Sequence, residues 1–300
     1  MHIRSLIVGL TFCCGAGLQS CDALFACGAG LQPGETAAPR RVISLVPAVT
    51  EMIFAMGDGP RLAGVSNYDR YPPQVDQIAR VGGLLDPDVE RILSLRPDLV
   101  IVYNTQEQLK QRLDRASIPY YRYEHRGLAD VTSTVRAIGA RIGSADAANR
   151  LASRMEADLA AIRRSVAGQR RPKTLLVFGR DPGSLRNIDA SGGYGFLHDM
   201  LEIAGGENVF ADVRQQAVRT TTEMILARRP DVIIELRYGD SLKVAGLERD
   251  TRAWDALASV PAARNHQVHF LVGDEFVVPG PRVVDATSKL ARTLHPAAVR

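Results

Sequence analysis

Two twelve-residue segments carry an acid that their structural pattern does not require. Glu90-Arg-Ile-Leu-Ser-Leu-Arg-Pro-Asp-Leu-Val-Ile101 and Glu223-Met-Ile-Leu-Ala-Arg-Arg-Pro-Asp-Val-Ile-Ile234 agree at seven of twelve positions without a gap. In each, Ile and Leu dock a short helix, and Arg-Pro-Asp ends it before a strand because proline stops a helix and biases its predecessor to extended backbone. Recurring αβ units account for all of this except the shared Glu90 and Glu223. Reactive chemistry is otherwise sparse. The four cysteines, Cys13, Cys14, Cys21 and Cys27, lie in the first 27 residues, so the body has no thiol for disulfides, metal ligation or nucleophilic attack. No Gly-x-Ser-x-Gly elbow, Walker loop or zincin helix occurs. His266 and His269 flank a strand from Gln267 to Val272, where an offset of three puts side chains on opposite faces, so no shared metal ion is expected. Gly192-Gly-Tyr-Gly-Phe196 could cradle an anion on backbone amides before a helix, but its spacing ends on His198 and makes no dinucleotide fingerprint. Without a nucleophile, base, metal or cofactor site, the chain is expected to bind rather than to catalyse.

Open α/β sheets bind ligands beyond the carboxyl ends of their strands. That rule nominates Tyr103, Arg180, Tyr238, Asp274 and Phe276 as cleft residues. Arg180 could meet a propionate, phosphate or amide carbonyl; Tyr103 could stack on a ligand or, in a haem protein, ligate iron. His125, after the apparent strand Tyr120 to Tyr123, sits at a cleft edge and could be a lower axial ligand, although a surface histidine is the favoured reading.

Elements able to position these residues follow from the apolar pattern. Val42 to Val46 is a continuous apolar run of strand length, followed by Pro47 and then Val49, Met52, Ile53 and Met56 at helical spacing. Leu99 to Val102 and Thr174 to Phe178 are further apolar strands, and Phe196, Leu197, Met200, Leu201 and Ala204 form one helical face closed by Gly205-Gly206. Alternation of this kind predicts parallel sheets covered on both faces. Between the halves, Ala147 to Val166 carries a single apolar stripe, which predicts an amphipathic helix of about 20 residues and about 30 Å. The expected fold is α/β, with two lobes, each a central, mostly parallel sheet flanked by helices, joined by one long rigid α-helix. The expected boundaries are a signal peptide at 1–20, a tether at 21–39, an N-terminal lobe at 40–128, a linking region at 129–170 and a C-terminal lobe at 171–298. A helical connection disfavours large hinge closure, so the cleft should be largely preformed.

With 300 residues, 46% hydrophobic and 23% charged, the chain is large enough for two packed lobes. Its formal charge of +4 comes without any run of five or six like charges, which gives little support to a nucleic-acid partner. Met-His-Ile-Arg followed by apolar Ser5 to Phe12 reads as an export signal too short to span a bilayer. Leu18-Gln19-Ser20-Cys21 resembles a lipobox, in which Cys21 would receive a diacylglyceryl group; ordinary cleavage nearby is the alternative. The Gly-, Ala- and Pro-rich stretch that follows suits a flexible tether.

Taken together, Arg41-Val-Ile-Ser-Leu-Val-Pro-Ala-Val-Thr-Glu51, Gly64-Val-Ser-Asn-Tyr-Asp-Arg-Tyr-Pro-Pro73, the two Glu-bearing segments, Ala204-Gly-Gly-Glu-Asn-Val-Phe210 and Pro281-Arg282 resemble the helical-backbone class of periplasmic binding proteins, over about residues 40 to 297. The resemblance implies the substrate-binding component of an ABC importer for cobalamin, haem or ferric siderophores. The stretch around Tyr68 is most similar to cobalamin-binding members, whose matching tyrosine packs on the corrin ring, and a broad aromatic face suits a macrocycle. The sequence departs from them near Leu84, where such members can carry a tryptophan. Glu90 and Glu223 match positions whose carboxylates face arginine pockets on the two permease subunits. The expectation is an exported, monomeric protein, periplasmic or at the cell surface through a lipid anchor, with no cofactor of its own. It would carry a corrinoid, or alternatively haem or a ferric siderophore, to an ABC permease dimer. A surface enzyme or sensor on the same scaffold is the more distant reading.

Overall fold

The computed structural model describes residues 38–238 and 247–299. The signal, Cys21 and the tether up to residue 37 lie outside the described residues. From Ala38 onward the chain forms one compact unit. In chain order its elements are β1 (Val42–Ser44), α1 (Pro47–Ala55), β2 (Leu62–Val65), β3 (Ala79–Arg80), α2 (Val89–Ser94), β4 (Leu99–Tyr103), α3 (Glu107–Arg115), β5 (Tyr120–Tyr123), α4 (Leu128–Arg141) and α5 (Ala145–Ser165). There follow β6 (Lys173–Gly179), β7 (Ile188–Ser191), α6 (Phe196–Ile203), β8 (Glu207–Asn208), β9 (Ala217–Thr220), α7 (Thr222–Arg228), β10 (Val232–Arg237), α8 (Leu247–Ala253), α9 (Pro261–Arg264), β11 (Val268–Val272) and α10 (Val283–Leu294).

The first sheet has the order β3-β2-β1-β4-β5 and is parallel throughout. The second has the order β11-β10-β6-β7-β9, with β8 beside β6. Its β10 pairs parallel with β6 and β11, whereas β7 runs antiparallel to both β6 and β9, a reversal that apolar runs alone do not predict. Strand side chains alternate between two cores, as the pleat requires. On β4, Leu99 and Ile101 enter one core while Val100 and Val102 enter another. On β10, Val232, Ile234 and Leu236 join the same core as Leu99, and Ile233 faces away. Each sheet therefore lays one face on a shared central core.

That core is built by α1, α4, α5, α6 and α10 together with the inner faces of the sheets. Helix α5 buries Ala148, Leu151, Ala152, Met155 and Leu159, the stripe expected from the sequence. The linking region holds α4 as well, turned back on α5 through Gly143 at φ +78°. The two helices approach so closely that a Cβ at Gly139 would lie 2.1 Å from that of Ala148. Arg136 of α4 donates twice to Glu156 of α5, at 2.7 and 2.9 Å.

The duplicated segments adopt the same structure. Asp88 and Thr221 cap α2 and α7 by accepting from the Arg91 and Met224 amides. Each unit ends on an arginine in the left-handed region, Arg96 at φ 49° and Arg229 at φ 50°. Asp98 then accepts from the Arg40 and Arg41 amides, and Asp231 from that of Lys173, so each Asp fastens the chain entering the neighbouring strand.

Gly139→Ala tests the close helix crossing. Alanine is the better helix former by about 1 kcal/mol, yet the Cβ clash is expected to lower stability by about 1–3 kcal/mol in urea unfolding. Ala148→Gly in the same chain should restore part of the loss.

Candidate functional site

Residues at and beyond the strand ends of both sheets line one cleft of about 410 Å³. Tyr103 ends β4, Tyr68 follows β2, Tyr238 follows β10 and Asp274 follows β11, and all four face this space. A second hollow of about 310 Å³, lined by Phe178, Tyr194 and Phe196, shares Tyr238 and Val277 with it and extends the cleft along the C-terminal sheet.

Tyr68 stands at the mouth, 60% exposed, on a loop whose backbone is held from beneath. Asp69, itself buried, accepts from the Ser66 amide at 2.7 Å, and Arg80 donates to the Ser66 and Asp69 carbonyls at 2.8 and 2.7 Å. The Tyr68 ring lies against Gly83, where a Cβ would come within 2.5 Å of it. Gln106 fixes that bed by donating to the Gly83 and Leu84 carbonyls at 3.2 and 3.0 Å. Tyr68 is thus an exposed ring on an ordered support.

The floor is aromatic. Tyr103 and Tyr123 are partners in the β4–β5 register, so the pairing of two parallel strands puts both rings at one sheet edge, 5.9 Å apart and edge to face. His125 continues the row, 5.6 Å from Tyr123 and 5.7 Å from Phe196 of α6. Burial, with help from the Asp69 charge, pushes the Tyr103 phenol up to about 12. Burial also raises Tyr123, whose hydroxyl has no hydrogen-bond partner, and lowers His125, which keeps the imidazole neutral at pH 7.

One wall is an ion pair between the two halves. Arg282 donates to Glu51 of α1 through Nε at 3.0 Å and Nη2 at 2.5 Å, and reaches Glu275 at 3.3 Å. Its guanidinium lies 4.2 Å from the centroid of Tyr71. Burial pushes the Glu51 carboxyl up, but the two-point contact with a permanently charged guanidinium holds it as a carboxylate at neutral pH. Arg282 also separates the cleft from a further hollow of about 400 Å³ behind it.

Two nominated residues lie elsewhere. The Arg180 side chain is 0% exposed and is not among the residues lining the cleft. It donates to Glu235 at 3.0 Å and to the Ser184 and Asp250 carbonyls, with Trp254 beside it, so a buried carboxylate on β10 draws it inward. Phe276 is buried in the central core, because the short 3-10 turn Asp274–Phe276 that turns Asp274 to the cleft turns Phe276 inward. His125 corrects the reading in the other direction: it is half-buried in the cleft, not on the outer surface. The Gly192 and Gly193 amides offer no anion cradle, since they already donate to the Gln216 and Val213 carbonyls at 3.2 and 2.7 Å. Among the described residues no group of three or more His, Cys, Asp or Glu side chains is placed to hold a metal ion. Glu90 and Glu223 lie outside the cleft, exposed, each the second residue of its short helix.

Sequence reasoning missed Tyr71, Tyr123, Glu51 and Arg282 as site residues. Extending the strand-end rule to β5 finds Tyr123. The Glu51–Arg282 pair is 231 residues apart in sequence and carries no local signal.

The periplasmic binding protein family model matches residues 42–274. The chain belongs to this family. The vitamin B12-binding protein of Salmonella typhimurium is 32% identical over 262 residues, 86% of this chain and 91% of that one. Among solved structures, the periplasmic vitamin B12 binding protein BtuF of Vibrio cholerae matches with a TM-score of 0.73 and 25% identity, covering 88% of this chain and 100% of that one. The periplasmic heme-binding protein RhuT of Roseiflexus sp. RS-1 matches with 0.72 and 27%, covering 86% and 99%. Periplasmic binding proteins hold solutes rather than transform them, in keeping with a cleft of aromatic faces and charges that are already partnered. The two-lobed α/β architecture with a helical connection is the one these structures share.

Arg282→Leu is expected to lower the stability of this periplasmic binding protein by about 3–5 kcal/mol at pH 7.5, because Glu51 is left buried without its counter-charge. In that variant the folded-state pKa of Glu51 lies further above its unfolded value. The deficit is therefore full above the folded pKa and shrinks as the pH falls through it. Guanidinium unfolding at pH 7.5 and 5 checks this; an equal deficit at both would assign the loss to packing instead.

Proposed function

We propose that this chain is the substrate-binding component of an ABC importer and carries a metal-chelate macrocycle, a corrinoid in preference, in the interlobe cleft. The observation that carries this reading is the exposed Tyr68 ring, fixed on Gly83 at the mouth of an aromatic-floored cleft. Such a surface rewards a broad flat ligand with dispersion and stacking, and the space lies in the range of small-molecule sites. The vitamin B12-binding relatives support the same cargo. The ligand meets Tyr68, Tyr103, Tyr238 and Asp274 from the sequence reading, together with Tyr71, Tyr123 and His125. No chemistry is carried out on it.

Haem is the second reading, favoured by the side chains of iron-ligating type in the same cleft, Tyr103, Tyr123 and neutral His125. Burial that pushes Tyr103 up to about 12 makes its phenolate costly, which favours a ligand that needs stacking over one that needs an anionic axial ligand.

Glu90 and Glu223 dock the protein on the two subunits of a permease dimer, one carboxylate per lobe. Both are exposed, and hydrogen bonding from Thr221 holds the Glu223 carboxyl below its usual range, so its charge persists in mild acid. Export and attachment through a lipidated Cys21 would keep a monomeric receptor at the membrane that holds its permease.

Isothermal titration with cyanocobalamin and haemin tests the cargo: binding of cyanocobalamin with silence toward haemin is expected, and the reverse would replace the cargo while keeping the receptor. Tyr68→Ala should weaken cyanocobalamin binding by about 1–3 kcal/mol; unchanged affinity would make Tyr68 a loop residue. Glu90→Ala with Glu223→Ala should leave cargo affinity intact and depress uptake in a permease-bearing cell. Undiminished uptake would sink the docking assignment.

A further inference from the structure

The duplicated helices share more than their glutamates. Glu90 is followed three residues later by Leu93, and Glu223 by Leu226. Residues three apart on a helix lie on one face. Leu93 is 37% exposed and Leu226 is 39% exposed, while the isoleucine just before each, Ile92 and Ile225, is buried and docks its helix on the lobe. The fold accounts for the isoleucines. It does not account for the leucines, which the sequence pattern predicts on the docked side of each helix and which are exposed instead, shared although neighbouring positions have diverged between the copies: Arg91 against Met224, Ser94 against Ala227, Leu95 against Arg228. Further apolar surface flanks each site, with Leu85, 91% exposed, in the loop entering α2 and Met224, 37% exposed, on α7.

We propose that Leu93 and Leu226 are apolar anchors of the permease contact, each seated beside its glutamate in a pocket of one permease subunit. This rests on the docking reading above and adds to it the chemistry of the partner: a cation next to an apolar hollow, presented twice around a two-fold axis. The repetition identifies the occupant, since one acid and one leucine at equivalent positions in two lobes match a partner made of two like halves. The glutamates alone would make a poor contact, because solvent and salt screen an exposed ion pair. An apolar group that seals its edge excludes water and strengthens it.

Surface plasmon resonance against the permease–ATPase complex of the same host, held in phospholipid nanodiscs, separates the two roles. Leu93→Gln and Leu226→Gln should each speed dissociation roughly five-fold, and together roughly 25-fold, with the salt dependence of association unchanged. Glu90→Gln and Glu223→Gln should instead slow association and flatten its salt dependence. Melting temperatures of the leucine variants control for folding. Leucine variants that dissociate like the wild type, while the glutamate variants lose binding, overturn this inference and leave the docking reading standing. Glutamate and leucine variants that both bind like the wild type overturn the two together. Concentration-dependent dimerisation in sedimentation velocity, abolished by Leu93→Gln, would assign the leucines to a second copy of this chain and overturn the inference as well.

Discussion

Both sheets turn one face into the same helical core. One apolar cluster runs from β4 and β1 through α1, α4, α5, α6 and α10 to β6 and β10, so the two halves cannot separate without exposing it to water. A strand linker between two independent cores would allow wide opening. Here the shared core packs the two sheets against common helices, and the hollow lies beyond their carboxyl ends. The Glu51–Arg282 pair reinforces this at the cleft itself, where it joins α1 to the turn before α10 and presents the Tyr71 ring.

A cleft with charged residues in its walls must settle its own electrostatics. It does so by pairing charges inside the protein: Arg282 with Glu51 and Glu275, and Arg80 with Asp76 and the carbonyls beneath Tyr68. What remains for the ligand on the N-terminal side is mostly aromatic surface, fixed by strand register in Tyr103 and Tyr123 and by a glycine bed in Tyr68. Unpaired charges in the cleft would demand counter-charges on the cargo; aromatic faces demand flatness and area.

The parts of this arrangement legible in the sequence are those set by local pattern. Apolar runs such as Leu99 to Val102 locate strands covered on both faces, the stripe from Ala148 to Leu159 locates α5, and the repeated Arg-Pro-Asp marks two equivalent helix-to-strand joints. The strand-end rule finds Tyr103, Tyr238 and Asp274, which line the cleft, because it depends only on where a strand stops. It fails for Arg180 and Phe276, since the residue after a strand can turn to either side and distant partners decide which. Glu235 and Asp250 draw Arg180 away from the cleft from 55 and 70 residues further along the chain. The antiparallel β7 was hidden for the same reason, its direction being fixed by pairing with β6 and β9 and not by its own four residues.

The point at which the duplication ends is itself informative. In register, Ile101 corresponds to Ile234, and both enter the central core; one residue on, Val102 corresponds to Glu235, and Tyr103 to Leu236. The copies share the Glu, Ile and Leu of the short helix, the Arg-Pro-Asp at its end and an apolar strand up to Ile101 and Ile234, and lose all likeness where the strand reaches the cleft. Val102 fills an outer core, whereas Glu235 at the same position organises Arg180, Arg237 and Trp254 into a buried network. Tyr103 faces the cleft, whereas Leu236 is buried. A partner with two like halves rewards sameness, and a single asymmetric ligand rewards difference. On the docking and cargo readings proposed above, the agreement at Glu90 and Glu223 and the divergence at Tyr103 and Leu236 divide the surface of each lobe by what it faces: repeated outside, where a two-fold assembly would meet it, and unique inside, where one molecule would be held.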